Sequence, residues 1–263
     1  MTKIAITGAG GRMGGRIAAL ALAEPKRFQV VSAMEAPAHK AMGSDVGAVA
    51  AGSPCGLAIS ESLQGSPDAI IDFSTPEATL KWLGVARQRK TPIVVGTTGL
   101  TESLLAELAD AASQIAVVQA PNMSVGVNLL FRIVGEVAKA LGADYDIEIA
   151  ETHHRFKKDA PSGTALGLAR SICAATGRKL DEALVHGREG LSPRKAGEIG
   201  MHAIRVGDTV GEHSVYFGNL GETVTISHSA HTRDTFARGA LRAAEWVAGR
   251  KPGLYTMQDV LFG

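Results

Sequence analysis

Cysteine is nearly absent from this 263-residue chain, which holds only Cys55 and Cys173. They stand far apart in sequence, so neither a disulfide framework nor a cysteine-based zinc site can be read from them. Both are expected to be small, buried, apolar residues. An excess of one charge is also lacking. The 27 Lys and Arg against 26 Asp and Glu leave a formal charge of +1, too little for a broad nucleic-acid-binding face. No apolar run approaches the length of a bilayer-spanning helix, so no membrane association is expected. The opening Met-Thr-Lys-Ile-Ala-Ile-Thr runs straight into a glycine cluster. No signal peptide is expected there, and the cytoplasm is the expected compartment. The histidines outside one cluster are scattered without His-Glu-x-x-His or comparable spacing, so no metal site is expected. What is present, 45% hydrophobic and 20% charged residues, is ordinary globular composition. The length suits two modest domains.

Apolar runs of four to seven residues at 3–7, 28–34, 68–73, 92–96 and 115–119 read as strands. Helical patterns fall between several of them, at 16–23, 76–89 and 102–112. Alternation of this kind predicts a Rossmann-like, doubly wound parallel sheet over residues 1–124. Beyond Met123 the pattern changes. A long helix at 125–141, an alternating strand at 146–152 and a helix from Pro161 to about Thr176 precede alternating segments at 202–206, 213–217 and 223–229. These predict a second, α+β domain over 125–233, with an open mixed sheet that is largely antiparallel. A helix at 234–248 and a tail at 253–261 are expected to return to the first domain, so that the fold class is α/β plus α+β.

The turn after the first strand is Gly8-Ala9-Gly10-Gly11-Arg12-Met13-Gly14. Glycines there let backbone N–H groups approach a pyrophosphate at a helix N-terminus. The strict G-x-G-x-x-G fingerprint would need glycine where Met13 stands, so the motif gains its weight from context. It follows a strand, opens a helix, and is followed at the end of the second strand by Glu35, placed to accept hydrogen bonds from adenosine ribose hydroxyls. Glu35 would repel a 2′-phosphate, and Ala36 occupies the place where an arginine could neutralise one. NADH is therefore favoured. NADPH stays open because His39 and Lys40 are near. Gly96-Thr97-Thr98-Gly99 and Ala120-Pro121-Asn122-Met123-Ser124 stand at carboxyl ends of strands and could line the nicotinamide.

The stretch Glu151-Thr-His153-His154-Arg155-Phe-Lys157-Lys158-Asp-Ala-Pro-Ser-Gly163-Thr164 places imidazoles and fixed cations directly before a helix start. It suits a small, multiply anionic metabolite, carboxylates above all. Arg155 and Lys158 could equally belong to a solvated face, because side chains alternate along a strand.

Taken together, Gly-Ala-Gly-Gly-Arg-Met-Gly, Gly-Thr-Thr-Gly, Pro-Asn-Met-Ser, His-His-Arg-Phe-Lys-Lys-Asp-Ala-Pro-Ser-Gly-Thr-Ala and the late Arg-Asp-Thr-Phe-Ala-Arg-Gly-Ala resemble the 4-hydroxy-tetrahydrodipicolinate (dihydrodipicolinate) reductase family over essentially the whole chain. The resemblance implies NADH- or NADPH-dependent reduction of a cyclic imine dicarboxylate on the diaminopimelate route to lysine, by a homotetramer. It implies His153 as proton donor and acceptor, Lys157 as proton donor, His154 as a substrate ligand, and Gly163 and Thr164 as donors to one carboxylate. Gly8, Ala9, Gly10, Gly11, Arg12, Met13, Glu35, Gly96, Thr97, Thr98, Ala120, Pro121, Asn122 and Met123 would bind the cofactor. Ala36 departs from family members that carry arginine there, which sets efficient use of NADPH in doubt. Two other functions compete. A thioester-forming dehydrogenase would need a cysteine nucleophile at a loop or helix start, whereas Cys173 falls within a helical pattern. An NADH-binding sensor would have no use for the His153 and Lys157 pair.

Overall fold

The computed structural model describes residues 1–263, which divide into two compact units. The first comprises Met1–Val125 and Arg233–Gly263, the second Gly126–Thr232. In chain order the first unit begins with β1 (Thr2–Thr7), α1 (Arg12–Ala23), β2 (Phe28–Met34), α2 (Val46–Ala51), β3 (Ile59–Ser60), β4 (Ala69–Asp72), α3 (Pro76–Arg89), β5 (Ile93–Val95), α4 (Glu102–Ala111) and β6 (Ala116–Gln119). The second unit follows with α5 (Val125–Leu141), β7 (Asp146–His153), α6 (Gly163–Thr176), α7 (Leu180–Ala183), β8 (Leu184–His186), β9 (Ile199–Arg205), β10 (Gly211–Asn219) and β11 (Glu222–Ala230). The chain then returns to the first unit as α8 (Asp234–Val247), β12 (Gly253–Tyr255) and α9 (Met257–Phe262).

The seven strands of the first unit run in the order β12-β6-β5-β4-β1-β2-β3, and every pairing is parallel. Residues 69–72 and 93–95 are buried throughout, as expected for strands covered on both faces. Ile4, Ile6, Ile71, Val94 and Val118 pack with Ile17 and Ala18 of α1 and with Ala237, Ala240 and Leu241 of α8. On the other face, Ile70, Ile93 and Val117 pack with Trp82, Leu83 and Leu108 of α3 and α4. Strand order reverses between β1 and β4, which makes their carboxyl ends the ligand crevice of an open α/β sheet.

In the second unit the order is β11-β10-β7-β9-β8. β10 is antiparallel to both β11 and β7, but β9 is parallel to both β7 and β8. The sheet is open and mixed, so the expected largely antiparallel arrangement is corrected. Helix α6 and the segment beyond it carry the chain across, so that β9 enters beside β7 in the same direction. Ile147, Ile149, Val215 and Phe217 face Leu130 and Val134 of α5 and Leu168 and Ile172 of α6.

Several local expectations also shift. Helix α1 starts at Arg12 and not at position 16. Helix α6 begins at Gly163 and not at Pro161, because Ser162 is its N-cap and accepts the Ala165 N–H. Cys173 is buried in α6, but Cys55 is exposed in the loop after α2. That loop is fastened by Asp45, whose carboxylate accepts the N–H groups of Cys55 and Gly56.

Candidate active site

In the first unit, Gly8 adopts φ +64°, and a Cβ there would lie 2.5 Å from the Phe73 carbonyl oxygen. A Cβ at Gly14 would lie 2.1 Å from the Gly8 carbonyl oxygen. Only glycine fits either place. Met13, in the first turn of α1, packs partly buried on the core, so glycine is not required at that position of the fingerprint. Helix α1 starts after Gly11 with no side-chain cap and no acidic residue in its first turn. Strand, glycine cradle and uncapped helix start fit a dinucleotide's pyrophosphate. Arg12 is exposed at that helix start, and Ala9 is buried.

Glu35 follows β2 and accepts the Gly10 N–H at 2.9 Å and the Ala36 N–H at 2.9 Å, which fixes its carboxylate beside the turn. His39 lies against Gly10, whose added Cβ would meet its ring at 2.5 Å. Gly96 lies under the Phe73 ring, where a Cβ would approach to 2.2 Å. Thr97 is buried and its hydroxyl is engaged twice, donating to Asp72 at 2.9 Å and accepting the Ser74 N–H at 3.1 Å. Met123 is buried with its carbonyl against Gly239. Thr97 and Met123 are thus left with backbone groups to offer a cofactor, whereas Thr98 and Pro121 are exposed. The Ala120 N–H donates to the Val95 carbonyl, and Asn122 Oδ1 accepts the Ser124 N–H at 2.8 Å.

In the second unit the end of β7 and the start of α6 meet at one wholly buried carboxylate, Glu151. It accepts His153 Nδ1–H at 2.6 Å, the Ser162 N–H at 3.0 Å and both terminal nitrogens of Arg205 at 2.8 Å. Burial works against its ionisation, but Arg205 and His153 outweigh this and hold its pKa below the usual glutamate value. The Glu151 bond turns His153 Nε2 away as the free ring nitrogen. Burial, reinforced by the Lys157 and Arg205 cations, lowers the His153 pKa against the pull of Glu151. His213 packs edge-on to His153 with ring centroids 5.1 Å apart, and its Nε2 lies 2.9 Å from the Ser162 hydroxyl. Burial and then the neighbouring His153 push the His213 pKa down to about 3.

Lys157 reaches forward to Asp159, with Nζ 2.8 and 3.0 Å from the carboxylate oxygens. Gly163 is exposed and Thr164 half-buried in the first turn of α6. His154 is half-buried and tilted against the exposed Phe156. Arg155 and Lys158 are exposed. The fold therefore gathers His153, Lys157 and the α6 N-terminus around Glu151. Sequence reasoning gave no role to Glu151, Arg205, His213 or Asp72. Asp72 carried one readable signal, an acidic residue closing an apolar strand, and Glu151 another, an acidic residue at a buried position of an alternating strand.

A glycine cradle at the switch point of a parallel sheet and, in a separate α+β unit, a histidine and lysine cluster are parts that a nucleotide-linked oxidoreductase would need. The family model described as "Dihydrodipicolinate reductase, N-terminus" matches residues 2–123, and "Dihydrodipicolinate reductase, C-terminus" matches residues 126–261. A 4-hydroxy-tetrahydrodipicolinate reductase from Geotalea uraniireducens is 50% identical over 99% of each chain. Its counterpart from Citrifermentans bemidjiense is 48% identical over 99% of each. The fold is shared with the dipicolinate-bound dihydrodipicolinate reductase from Paenisporosarcina sp. TG-14, at TM-score 0.76 and 24% identity over 98% of each chain. The chain belongs to the dihydrodipicolinate reductase family and is an oxidoreductase.

Proposed function

We propose that this chain reduces 4-hydroxy-tetrahydrodipicolinate to tetrahydrodipicolinate with a nicotinamide cofactor, a step of the diaminopimelate route to lysine. The observation that carries the reading is the buried Glu151, which holds His153 on one side and the α6 N-terminus on the other. One carboxylate thereby fixes an acid–base group relative to a set of carboxylate donors.

A dinucleotide held with its pyrophosphate in the glycine cradle would supply a hydride from its nicotinamide ring. Reduction of the 4-hydroxy substrate loses the hydroxyl as water and takes up that hydride and one proton. Electron density then moves onto the ring nitrogen, so a positioned acid lowers the barrier. Lys157 Nζ, or His153 once its Nε2 is protonated, donates this proton. Asp159 holds Lys157 in place before substrate binds. The Gly163 N–H and the Thr164 hydroxyl bind one substrate carboxylate at the positive end of α6, and His154 contributes to the second. The terminal nitrogens of Arg205 are engaged by Glu151 and by the Ile204 and Asp159 carbonyl oxygens, so it acts on the site through Glu151.

The first unit binds the dinucleotide and favours NADH, because Glu35 is pinned by two N–H groups where a 2′-phosphate would meet its charge. The second unit binds substrate and mediates assembly into a homotetramer. Exposed Ile204 and Tyr216 support this, since they lie on the sheet face opposite α5 and α6. The substrate is a free metabolite, and the compartment is the cytoplasm.

The test mixes the protein with NADH and the condensation product of pyruvate and aspartate semialdehyde, and follows absorbance of the reduced cofactor. Oxidation that depends on the condensation product is expected, faster with NADH than with NADPH. Binding of NADH without oxidation would make the protein a sensor and refute the reading.

A further inference from the structure

Asp72 is a wholly buried carboxylate with no cationic partner. It closes β4 at the point where strand order reverses. Four hydroxyls converge on it. Those of Ser74 and Thr79 lie at 2.5 Å and that of Thr97 at 2.9 Å, and the fourth is Thr7, the last residue of β1. A carboxylate offers about four lone-pair sites, so this set saturates it without a charge partner.

The four donors come from different places. Thr7 directly precedes the glycine turn, Thr97 lies within Gly96–Gly99, and Thr79 belongs to α3. The two residues after Asp72 fill the space between the loops. Gly8 presses on the Phe73 carbonyl, Gly96 lies under the Phe73 ring, and Thr97 accepts the Ser74 N–H. Two separate cofactor-facing loops are thus spaced by one wedge, residues 72–74, and fastened by one carboxylate.

We infer that Asp72 is a positioning residue for the dinucleotide, setting the spacing of the glycine turn and the Gly96–Gly99 loop without touching the cofactor. This rests on the first unit holding a dinucleotide, as proposed above. Buried polar networks of this kind lose their geometry when one member is removed, because the remaining groups are left unsatisfied. The cost then falls on ligand binding, since the loops must be ordered at the moment the cofactor binds.

The test measures the NADH dissociation constant by calorimetry for the wild-type protein and for Asp72→Asn, Thr97→Val, Thr7→Val and Thr79→Val. Dipicolinate binding and thermal midpoint are measured in parallel. Asp72→Asn and Thr97→Val are expected to weaken NADH binding by about tenfold, the loss typical of one hydrogen bond to a charged group. Dipicolinate affinity stays at the wild-type value, because its site lies in the other unit. Thr97→Val removes no cofactor contact, since that hydroxyl is already engaged by Asp72 and Ser74. Thr79→Val removes a donor from the same carboxylate on the α3 side. It is expected to lower the thermal midpoint and leave NADH affinity within about twofold of wild type.

If Asp72→Asn does not fold, Thr97→Val and Thr7→Val decide the matter. Wild-type affinity for NADH in folded Thr97→Val, or equal weakening by Thr79→Val and Thr97→Val, overturns the inference. A wild-type protein that binds no NADH overturns the dinucleotide reading itself.

Discussion

Replacing His213 with glutamine isolates what burial does to a single imidazole beside the site. His213 is 4% exposed, and its pKa is pushed from the ordinary 6.5 to about 3. The charged groups facing it are His153, Glu151, His228 and Lys157. Because the folded pKa lies below the unfolded one, the unfolded chain binds the proton first. Stability contributed by the neutral ring is complete above about pH 6.5 and declines as pH falls toward 3. Linkage gives about 2 to 3 kcal/mol lost from this one group between about pH 6 and pH 4. Glutamine can keep a nitrogen near the Ser162 hydroxyl but does not titrate. His213→Gln is therefore expected to start lower near neutral pH, by about 1 kcal/mol, from lost packing against His153. It then falls less steeply with acid, so the two proteins converge and cross at about pH 5.5 to 6. Urea unfolding at a series of pH values measures this directly. A wild-type-minus-variant difference that stays constant from neutral pH down to pH 4 would mean that His213 protonates freely in the folded protein, and the burial argument would be wrong.

Glu151→Gln strands the Arg205 guanidinium, which is 20% exposed, and should cost about 3 kcal/mol in urea unfolding. The double variant Glu151→Gln/Arg205→Met should recover part of that loss, and additivity of the single effects would count against a coupled pair. Lys157→Ala is expected to lower turnover by about 10² or more, and unchanged turnover with weaker substrate binding would remove Lys157 from the acid role. Glu35→Ala should raise the KM for NADH by about tenfold and narrow the gap to NADPH, as steady-state assays with both cofactors would show.

Regular, locally encoded features were legible in the chain. The apolar stretches that became β1, β2, β4, β5 and β6 announce a parallel sheet by their alternation with helical patterns, and α5 follows the expected 125–141 residue for residue. The short helices α2 and α7, of six and four residues, carry too little periodicity to stand out. The glycine turn and the basic stretch were readable because their chemistry is contiguous. Groups that depend on distant partners were not: Glu151 meets Arg205 across 54 positions, Ser162 meets His213 across 51, and Asp72 meets Thr7 across 65. Nothing local marks such a pair. Thr97 illustrates the reverse, since its position suggested a ligand contact, yet folding turns its hydroxyl inward to Asp72.

Strand β12 adds in parallel to the edge of β6, and the alanine-rich face of α8 covers β4 and β5. The first unit is therefore assembled from two stretches separated by more than a hundred residues of a different unit. A ribosome releases the second unit, with all its strands, before the pieces that cover the first. Until then Ile71, Val94 and Val118 lack their lid, and the β6 edge offers open backbone hydrogen-bonding groups. Chains interrupted before α8 should consequently be prey for holdase chaperones or proteases, even with the glycine turn and the Gly96–Gly99 loop already made.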